Sequence, residues 1–529
     1  MQTLLEYVTK DNKILIDLLV KERAKCRKRN HSETHHHLDK DIPVFELTNR
    51  KQLSRLMPQR RTWVRPKKRE TLPNGAIDRK KNAIKALKLT IKRDRGLQKK
   101  GKQIPYLEEL DAYVEQIRQR MQADELTFAS PKLMPMYKDK KKMADGTYQV
   151  TCRPLTIYER LDDKIILAAT SRYLTNYFDK YLHDNILSYR KAHRYTDNQF
   201  RVPDFNEGAQ LIKDYHDKHL CQHIYAADCD IKKFYDIIPH TVVRQCFQRM
   251  LDQSHLSDEG KQQVMRIINA YLHSYNFYTH VWQTSLQHGE VYDKIRRKLH
   301  DKENRNHYQC KWVDELLDLP EEERRQRGVS QGGSLSLLIA NIVLNDVDQS
   351  VLQQPDDDRL FIRYCDDMIL LHTDYDKCCR LMDCYAQSLQ AHGLYYHPFQ
   401  HVSDAKSQSS TSPQFWQIKS HHPFLWGDGE GNSNRYISFL GYEIRRDGRM
   451  RLRKDNMKRF EEKFERSYHT LRRYKKKHTP EEFAEHCQEV LERALASIGF
   501  YKSLPDHFQQ GSQYQHLKKL KAKIADRLG

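Results

Sequence analysis

Long apolar runs are missing from this 529-residue chain. None approaches 18 residues, so no membrane span is expected. The opening residues, MQTLLEYVTKDNK, lack the charged-then-apolar plan of a signal peptide. No CxxC pair occurs among the 11 cysteines, and Cys378, Cys379 and Cys384 cluster without zinc spacing. Reduced thiols in a cytoplasmic protein are the expectation. Internal repeats of solenoid type are absent too. Acidic residues are scarce beside basic ones: 71 Asp and Glu stand against 92 Lys and Arg, a net charge of +21. Solubility does not need so large an excess of one sign, and a polyanion, nucleic acid first, is the implied partner.

The basic excess is concentrated near the start. Residues 50–102 hold 20 Lys or Arg against 3 Asp or Glu. Within them, NAIKALKLTIKRDR spaces Ile84, Leu87 and Ile91 as one face of a helix. Such a helix suits contact with phosphate backbones. The segment NHSETHHHLDKD, with four histidines in seven residues, reads as a polar loop. The length exceeds one small core, so several regions are expected.

From Pro131 onward the pattern is globular. MPMYKDKKKMADGTYQVTCRPLTI predicts two strands about an Asp145–Gly146 turn. A long helix follows over YERLDDKIILAATSRYLTNYFDKYL. HIYAADCDIKKFYDIIPH predicts a strand running into a helix. Residues 241–327 read as mostly helical and polar. RGVSQGGSLSLLIANIVLNDVD is a glycine-rich turn leading into an apolar helix. In FIRYCDDMILLH, two acids interrupt an apolar run between short strands. An Asp-rich turn alone would explain them. Yet buried carboxylates are costly unless paired or on a metal, and a second acidic strand end, Asp230, lies 136 positions earlier. One Asp at a strand end and an Asp pair on a hairpin can hold two divalent cations for phosphoryl displacement. Hard oxygen ligands suit Mg²⁺.

These segments, in this order, resemble the reverse transcriptases. DIKKFYDIIPH is similar to their first palm motif, GVSQGGSLSLLIANIVLNDVD to the turn and helix that follow, and YCDD to Y-x-D-D. FLGYEI resembles the primer grip, and GTYQVTCRPLTI with ERLDDKI the fingers. The resemblance implies an α+β right-hand polymerase fold: fingers, a palm with an antiparallel sheet carrying the YCDD hairpin, and a helical thumb. A basic, mainly helical N-terminal extension precedes it. The expected regions are 1–130, in contact with RNA; 131–447, fingers and palm; and 448–529, a basic helical thumb.

Residue by residue, the resemblance implies that Asp230 and Asp366 hold two Mg²⁺ ions. The Ile231 carbonyl is a further ligand, and Asp367 is a neighbour with less direct contact. Tyr235 falls at the sugar gate, which favours deoxynucleotides and a DNA product. Gln331 lies near the incoming nucleotide, with Gly332 and Gly333 allowing close backbone approach. Arg153 grips the triphosphate, with Lys142 and Arg190 as further cations. Lys406 matches a lysine that protonates leaving pyrophosphate, with His397 and His401 as rival acids. Asp228 and Asp236 match no metal position and read as structural or solvated.

Ser330 departs from the usual P-Q-G. Only about 80 residues follow the primer-grip hairpin, so a nuclease domain is not expected. The chain therefore most resembles stand-alone bacterial reverse transcriptases of defence-associated, abortive-infection type. That implies complementary DNA made from dNTPs on an RNA template, a dedicated non-coding RNA, in antiphage defence, with self-association as a further expectation. A retron-like or diversity-generating retroelement enzyme is the alternative, and an RNA-binding scaffold with a relict palm is the alternative of another class.

Overall fold

The computed structural model describes residues 3–9, 13–25, 44–71, 77–133, 136–158, 160–194, 200–203, 205–283, 306–404, 415–476, 478–496 and 512–528. It has the mixed helix-and-sheet architecture of a right-hand polymerase. The histidine-rich segment 30–41 lies outside the described residues. No described helix is long and apolar enough to cross a membrane.

At the centre is a six-stranded sheet. Its main path runs Phe399–Gln400, Ser420–Trp426, Tyr225–Asp230, Asp367–His372, Leu360–Tyr364, and Ser433–Asn434 pairs at the side. The middle strand, Tyr225–Asp230, is antiparallel to both neighbours. Both faces of the sheet are covered. On one face, Ala227, Cys229, Met368 and Leu370 join a core with the palm helices. On the other, Ala226, Ile369 and Leu371 join Ile437, Tyr442, Phe464 and Leu517. Side chains alternate along a strand, so Asp228, Asp230 and Asp367 all belong to this second face.

The helix Ser336–Leu352 is apolar around most of its circumference, and Ile339, Val343, Leu344 and Val347 are fully buried. An all-round apolar helix must lie inside a core. The helix packs on Tyr375–Ala391 and on His240–Gln253.

The N-terminal helices Leu4–Thr9, Lys13–Lys25, Val44–Arg55, Arg79–Gln98 and Pro105–Gln122 are not a loose arm. Leu15, Leu19, Leu87, Leu107 and Val114 belong to the same core as the palm helices. The Lys13–Lys25 helix packs against Arg79–Gln98 and Leu161–Phe178. The Asp78 side chain caps Arg79–Gln98 by accepting from the Lys81 N–H. The division near residue 130 therefore marks a change of composition, with one core running across it.

The Met136–Lys142 and Tyr148–Arg153 hairpin forms as the sequence predicts. Gly146, at φ 81°, supplies the left-handed turn residue. A third strand, Asn306–Gln309, adds parallel to Tyr148–Arg153. It falls in the stretch that reads as polar and helical. Strand addition of this kind depends on the edge it meets, which local sequence does not show. The chain then folds into Tyr436–Phe439, Tyr442–Arg445 and Met450–Leu452, a three-stranded meander, before the helices Lys454–Lys475, Pro480–Ala496 and Ser512–Leu528.

Candidate active site

Two strand ends build the site. Asp367 stands directly opposite Asp230 in the antiparallel register, and Tyr364 stands opposite Asp367 on the other side. Only Cys365 and Asp366 lie between the two hairpin strands, and Cys365 takes φ 57°. A non-glycine residue in that region is held there by its surroundings. The Cys365 N–H donates to Ser188 Oγ at 2.8 Å, and Arg363 Nη1 donates to the Cys365 carbonyl at 2.8 Å. Arg363, fully buried, also donates three hydrogen bonds of 2.7–2.9 Å to the buried Asp348 carboxylate. The turn that carries the acids is thus braced from beneath.

The acids themselves lack such partners. Neither Asp366 nor Asp367 forms an ion pair within the described residues. Asp367 keeps solvent contact through the cleft, yet the walls displace most of the surrounding water. That enclosure, followed by the charges of Asp366, Asp230 and Asp228, pushes its carboxyl up to about 7. Asp366 is raised as well, first by enclosure. Acids that raise one another are a site short of positive charge. The oxygen-only donor set of Asp230, Asp366 and Asp367 fits Mg²⁺. Ile231 is pinned beside Asp230 by an isolated bridge to Tyr396, and the Asp230 N–H donates to Ser420 Oγ at 3.0 Å.

Cations ring the acids, and the fold selects which. Arg153 closes its strand with an exposed guanidinium whose charge reaches Asp366. Lys142 sits at the hairpin tip opposite Tyr148, roughly 20 Å along the strand from Arg153's partner Met136. Lys138 comes to the site instead. The register shifts between Tyr137 and Asp139, a bulge that re-aims the residue between them. The Lys138 ammonium is held below its usual range, first by burial and then by Lys233, Arg153 and Lys419. Lys233 reaches this cluster from a left-handed turn residue, φ 50°, three positions after Asp230.

Arg190 is corrected. It is 5% exposed, and its donors satisfy Asp179 Oδ1 and the carbonyls of Asp179, Leu182, His183 and Ile186. It locks its own loop and has no donor to offer a nucleotide. Lys406 lies outside the described residues. Lys419, which the motifs did not single out, places its Nζ 3.3 Å from Asp230 Oδ2. His397 Nε2 is 4.0 Å from the same oxygen, whereas His401 packs at a tilt against His422.

Tyr235 packs edge-on against Phe234, and its hydroxyl is buried without a hydrogen-bond partner among the described residues. Gln331 is tied to the fingers through its backbone: the Thr156 N–H donates to the Gln331 carbonyl at 3.0 Å. Gly332 has φ 95°, and a Cβ there would make only ordinary contact, with the Thr156 carbonyl at 3.7 Å. Gly333 is glycine for another reason, because a Cβ there would meet the Tyr158 hydroxyl at 2.6 Å. Asp236 is fully buried and bonded to Gln331, so it is not solvated. Asp228 accepts from the His421 backbone N–H at 3.0 Å and lies 2.8 Å from His421 Nδ1.

A cleft of about 530 Å³ opens over this face. It runs from Asp230 and Asp367, past Lys419, to the Leu440–Gly441 turn and the thumb's Arg453 and Arg459. Outside it, Cys246, Asp346 and His392 form a ligand-like group. There the Arg249 guanidinium already bonds Asp346 and Cys246, so that group is complete as an ion pair.

Opposed strand-end acids, a braced hairpin and nearby cations beside an open cleft make up the site. Residues 273–444 match the family model for reverse transcriptase (RNA-dependent DNA polymerase). The chain carries a reverse transcriptase domain, the nucleotidyltransferase of RNA-directed DNA polymerases. The match begins after Asp230, which the sheet register returns to the site. No curated protein sequence matches the chain. Among solved structures, the apo telomerase of Candida tropicalis aligns over 77% of this chain and 64% of its own, at 12% identity and TM-score 0.38. A form of it truncated of its C-terminal domain aligns over 62% and 55%, at 14% and 0.34. Candida albicans telomerase, with a fragment of telomeric RNA, aligns over 80% and 63%, at 13% and 0.32. The chain spans 55–64% of the length of these three telomerases. The assignment rests on the family match and the site, not on these distant likenesses.

Proposed function

We propose that the protein is an RNA-directed DNA polymerase that makes complementary DNA from dNTPs on an RNA template. The observation that carries this is the register of Asp230 against Asp367, with Asp366 at the intervening turn, on the face that opens to the cleft. Asp230, Asp366, Asp367 and the Ile231 carbonyl would hold two Mg²⁺ ions. When bound, these supply activation of a 3′-hydroxyl and charge for the leaving pyrophosphate.

The chain's own residues do the rest. Arg153, Lys138 and Lys233 clamp the triphosphate. Tyr235 closes the space that a ribose 2′-hydroxyl would need. Lys419 stands where a proton donor to pyrophosphate is wanted, a role for which His397 is the second candidate.

The N-terminal extension supports the RNA partner. Residues 58–70 lie against the Arg79–Gln98 helix. The Val64 N–H donates to Thr90 Oγ1 at 2.8 Å, and the Glu70 N–H to Asn82 Oδ1 at 3.0 Å. Arg61, Arg65, Lys67 and Arg69 on this strap, with Lys92, Lys99 and Lys100 on the helix and just beyond it, are exposed. A fixed array of cations suits a phosphate backbone. The resemblance to defence-associated enzymes supports the narrower reading, a dedicated non-coding RNA copied during antiphage defence by a self-associating enzyme. A relict scaffold would gain nothing from the unpaired acids.

The test uses purified protein with its copurifying RNA, each labelled dNTP and Mg²⁺, followed by sequencing of RNA and product. A defined DNA tied to one RNA is expected. DNA made only on an added primer–template points to a retroelement enzyme. No DNA under either condition rejects polymerase activity and favours the scaffold.

A further inference from the structure

Asp236 belongs neither to the metal site nor to an ion pair among the described residues. It is 0% exposed, and Gln331 Nε2 donates to its Oδ1 at 2.6 Å. Its other oxygen, Oδ2, is buried with no hydrogen-bond partner within the described residues. No ion pair reaches it among the described residues; Lys233 and Lys138 act on it only at a distance. Burial pushes the carboxyl up to about 6. A buried carboxylate held by one bond is costly, and an apolar residue of similar size would cost less. The surrounding backbone is rigid without it. The Asp236 N–H donates to the Lys233 carbonyl at 2.7 Å, Trp312 Nε1 donates to the Asp236 carbonyl at 3.2 Å, and the Val329 N–H donates to the Tyr235 carbonyl at 2.7 Å. The side chain is therefore not needed to hold the turn.

Its single bond fixes one thing. Asp236 Oδ1 accepts, and only the amide nitrogen of Gln331 can donate, so that nitrogen faces the carboxyl. The Gln331 carbonyl oxygen, Oε1, is then turned away from Asp236, and the half-exposed side chain leaves it without a partner within the described residues. The backbone of Gln331 is already anchored to Thr156. With the chain end and the amide both fixed, the side chain offers an acceptor in one direction only.

We propose that Asp236 is a positioning residue for nucleotide binding: it orients Gln331 so that Oε1 accepts from a donor group on the incoming nucleotide. This rests on the polymerase reading of the site. Without Asp236, the amide flips freely and presents a donor as often as an acceptor.

The experiment is single-nucleotide primer extension by the full-length protein and four variants, with Asp366→Ala/Asp367→Ala as the inactive control. Asp236→Ala should raise the dNTP KM about 10-fold while kcat changes by less than about 3-fold. Gln331→Glu sets two carboxylates against each other and should raise KM at least as much. Asp236→Asn/Gln331→Glu should recover most of the loss, because the introduced asparagine amide can donate to the introduced glutamate and leave one of its oxygens free to accept. Asp236→Asn alone should raise KM by only a few-fold. Thermal melting of the same proteins should show the swap less destabilised than Gln331→Glu.

An unchanged KM in Asp236→Ala that melts as the parent does would overturn the proposal. So would a swap no better than Gln331→Glu, which stands even where Asp236→Ala fails to fold. Parent and inactive control that are equally silent would instead overturn the polymerase reading. The melting comparison would then still report whether Asp236 and Gln331 act as a pair.

Discussion

Two acidic sites flank one short strand, and they solve the same problem in opposite ways. Asp348 is fully buried and takes three hydrogen bonds from Arg363. Among the described residues Asp366, three positions after Arg363, has no ion pair, nor has Asp367. In the first site the fold supplies the counter-charge. In the second it leaves the charge to be supplied by something that binds. The cations repeat the contrast: Arg190 is buried and bonded to its own loop, while Arg153 is exposed with its charge reaching Asp366. Groups that complete each other within the chain hold the fold, and groups left incomplete on a braced frame mark where chemistry happens.

The largest effect that tests this contrast is in the open site. Asp366→Ala/Asp367→Ala should lower DNA synthesis by about 1,000-fold or more, measured as labelled dNTP incorporation. The same variant should melt at the parent's temperature or above, since it removes mutually repelling acids. Arg363→Ala should do the reverse. Leaving Asp348 buried and unpaired should cost about 3–5 kcal/mol in urea unfolding. If the double alanine variant is destabilised as much as Arg363→Ala, the contrast between the two sites fails.

A smaller effect concerns sugar choice. Tyr235→Ala should improve ribonucleotide incorporation relative to deoxynucleotide by about 10- to 100-fold. Unaltered selectivity in competing extensions would remove Tyr235 from that role.

The smallest effect is on stability and links pH to metal. The Asp367 carboxyl lies near 7 in the folded protein, against about 3.9 in an unfolded chain. Folded metal-free protein therefore binds a proton that the unfolded chain has released. The stability this group contributes is fully present below about pH 4 and is lost as pH rises to about 7. Mg²⁺ requires the ionised acid, so its stabilisation should grow over the same window. The Mg²⁺-induced rise in Tm should be on the order of a few degrees larger at pH 8 than at pH 6. Equal rises at both would place the metal elsewhere.

Much of the architecture is legible in the residue string. The apolar runs on either side of Asp366 and Asp367, the Asp145–Gly146 turn and the apolar helix after Gly333 all form as their patterns predict. The cationic rim is not legible in the same way. Lys142 and Lys138 look alike in a run of lysines, and a bulge decides between them. Arg190 resembles a substrate cation until the carbonyls around it are seen. Lys419 follows a segment whose path no local pattern fixes. Asp236 shows its partner only when the glycine-rich turn folds back over the first palm strand.

The sequence by itself determined the class of chemistry: acids at two strand ends, a turn between apolar strands and a surplus of positive charge. These are local facts, set by periodicity and residue type, which act over a few positions along the chain. Tertiary structure decided which acids meet, which cations reach them and which are already satisfied. Those outcomes depend on strand register and packing between residues over a hundred positions apart, and a one-residue shift in register would send Asp230 and Asp367 to opposite faces of the sheet.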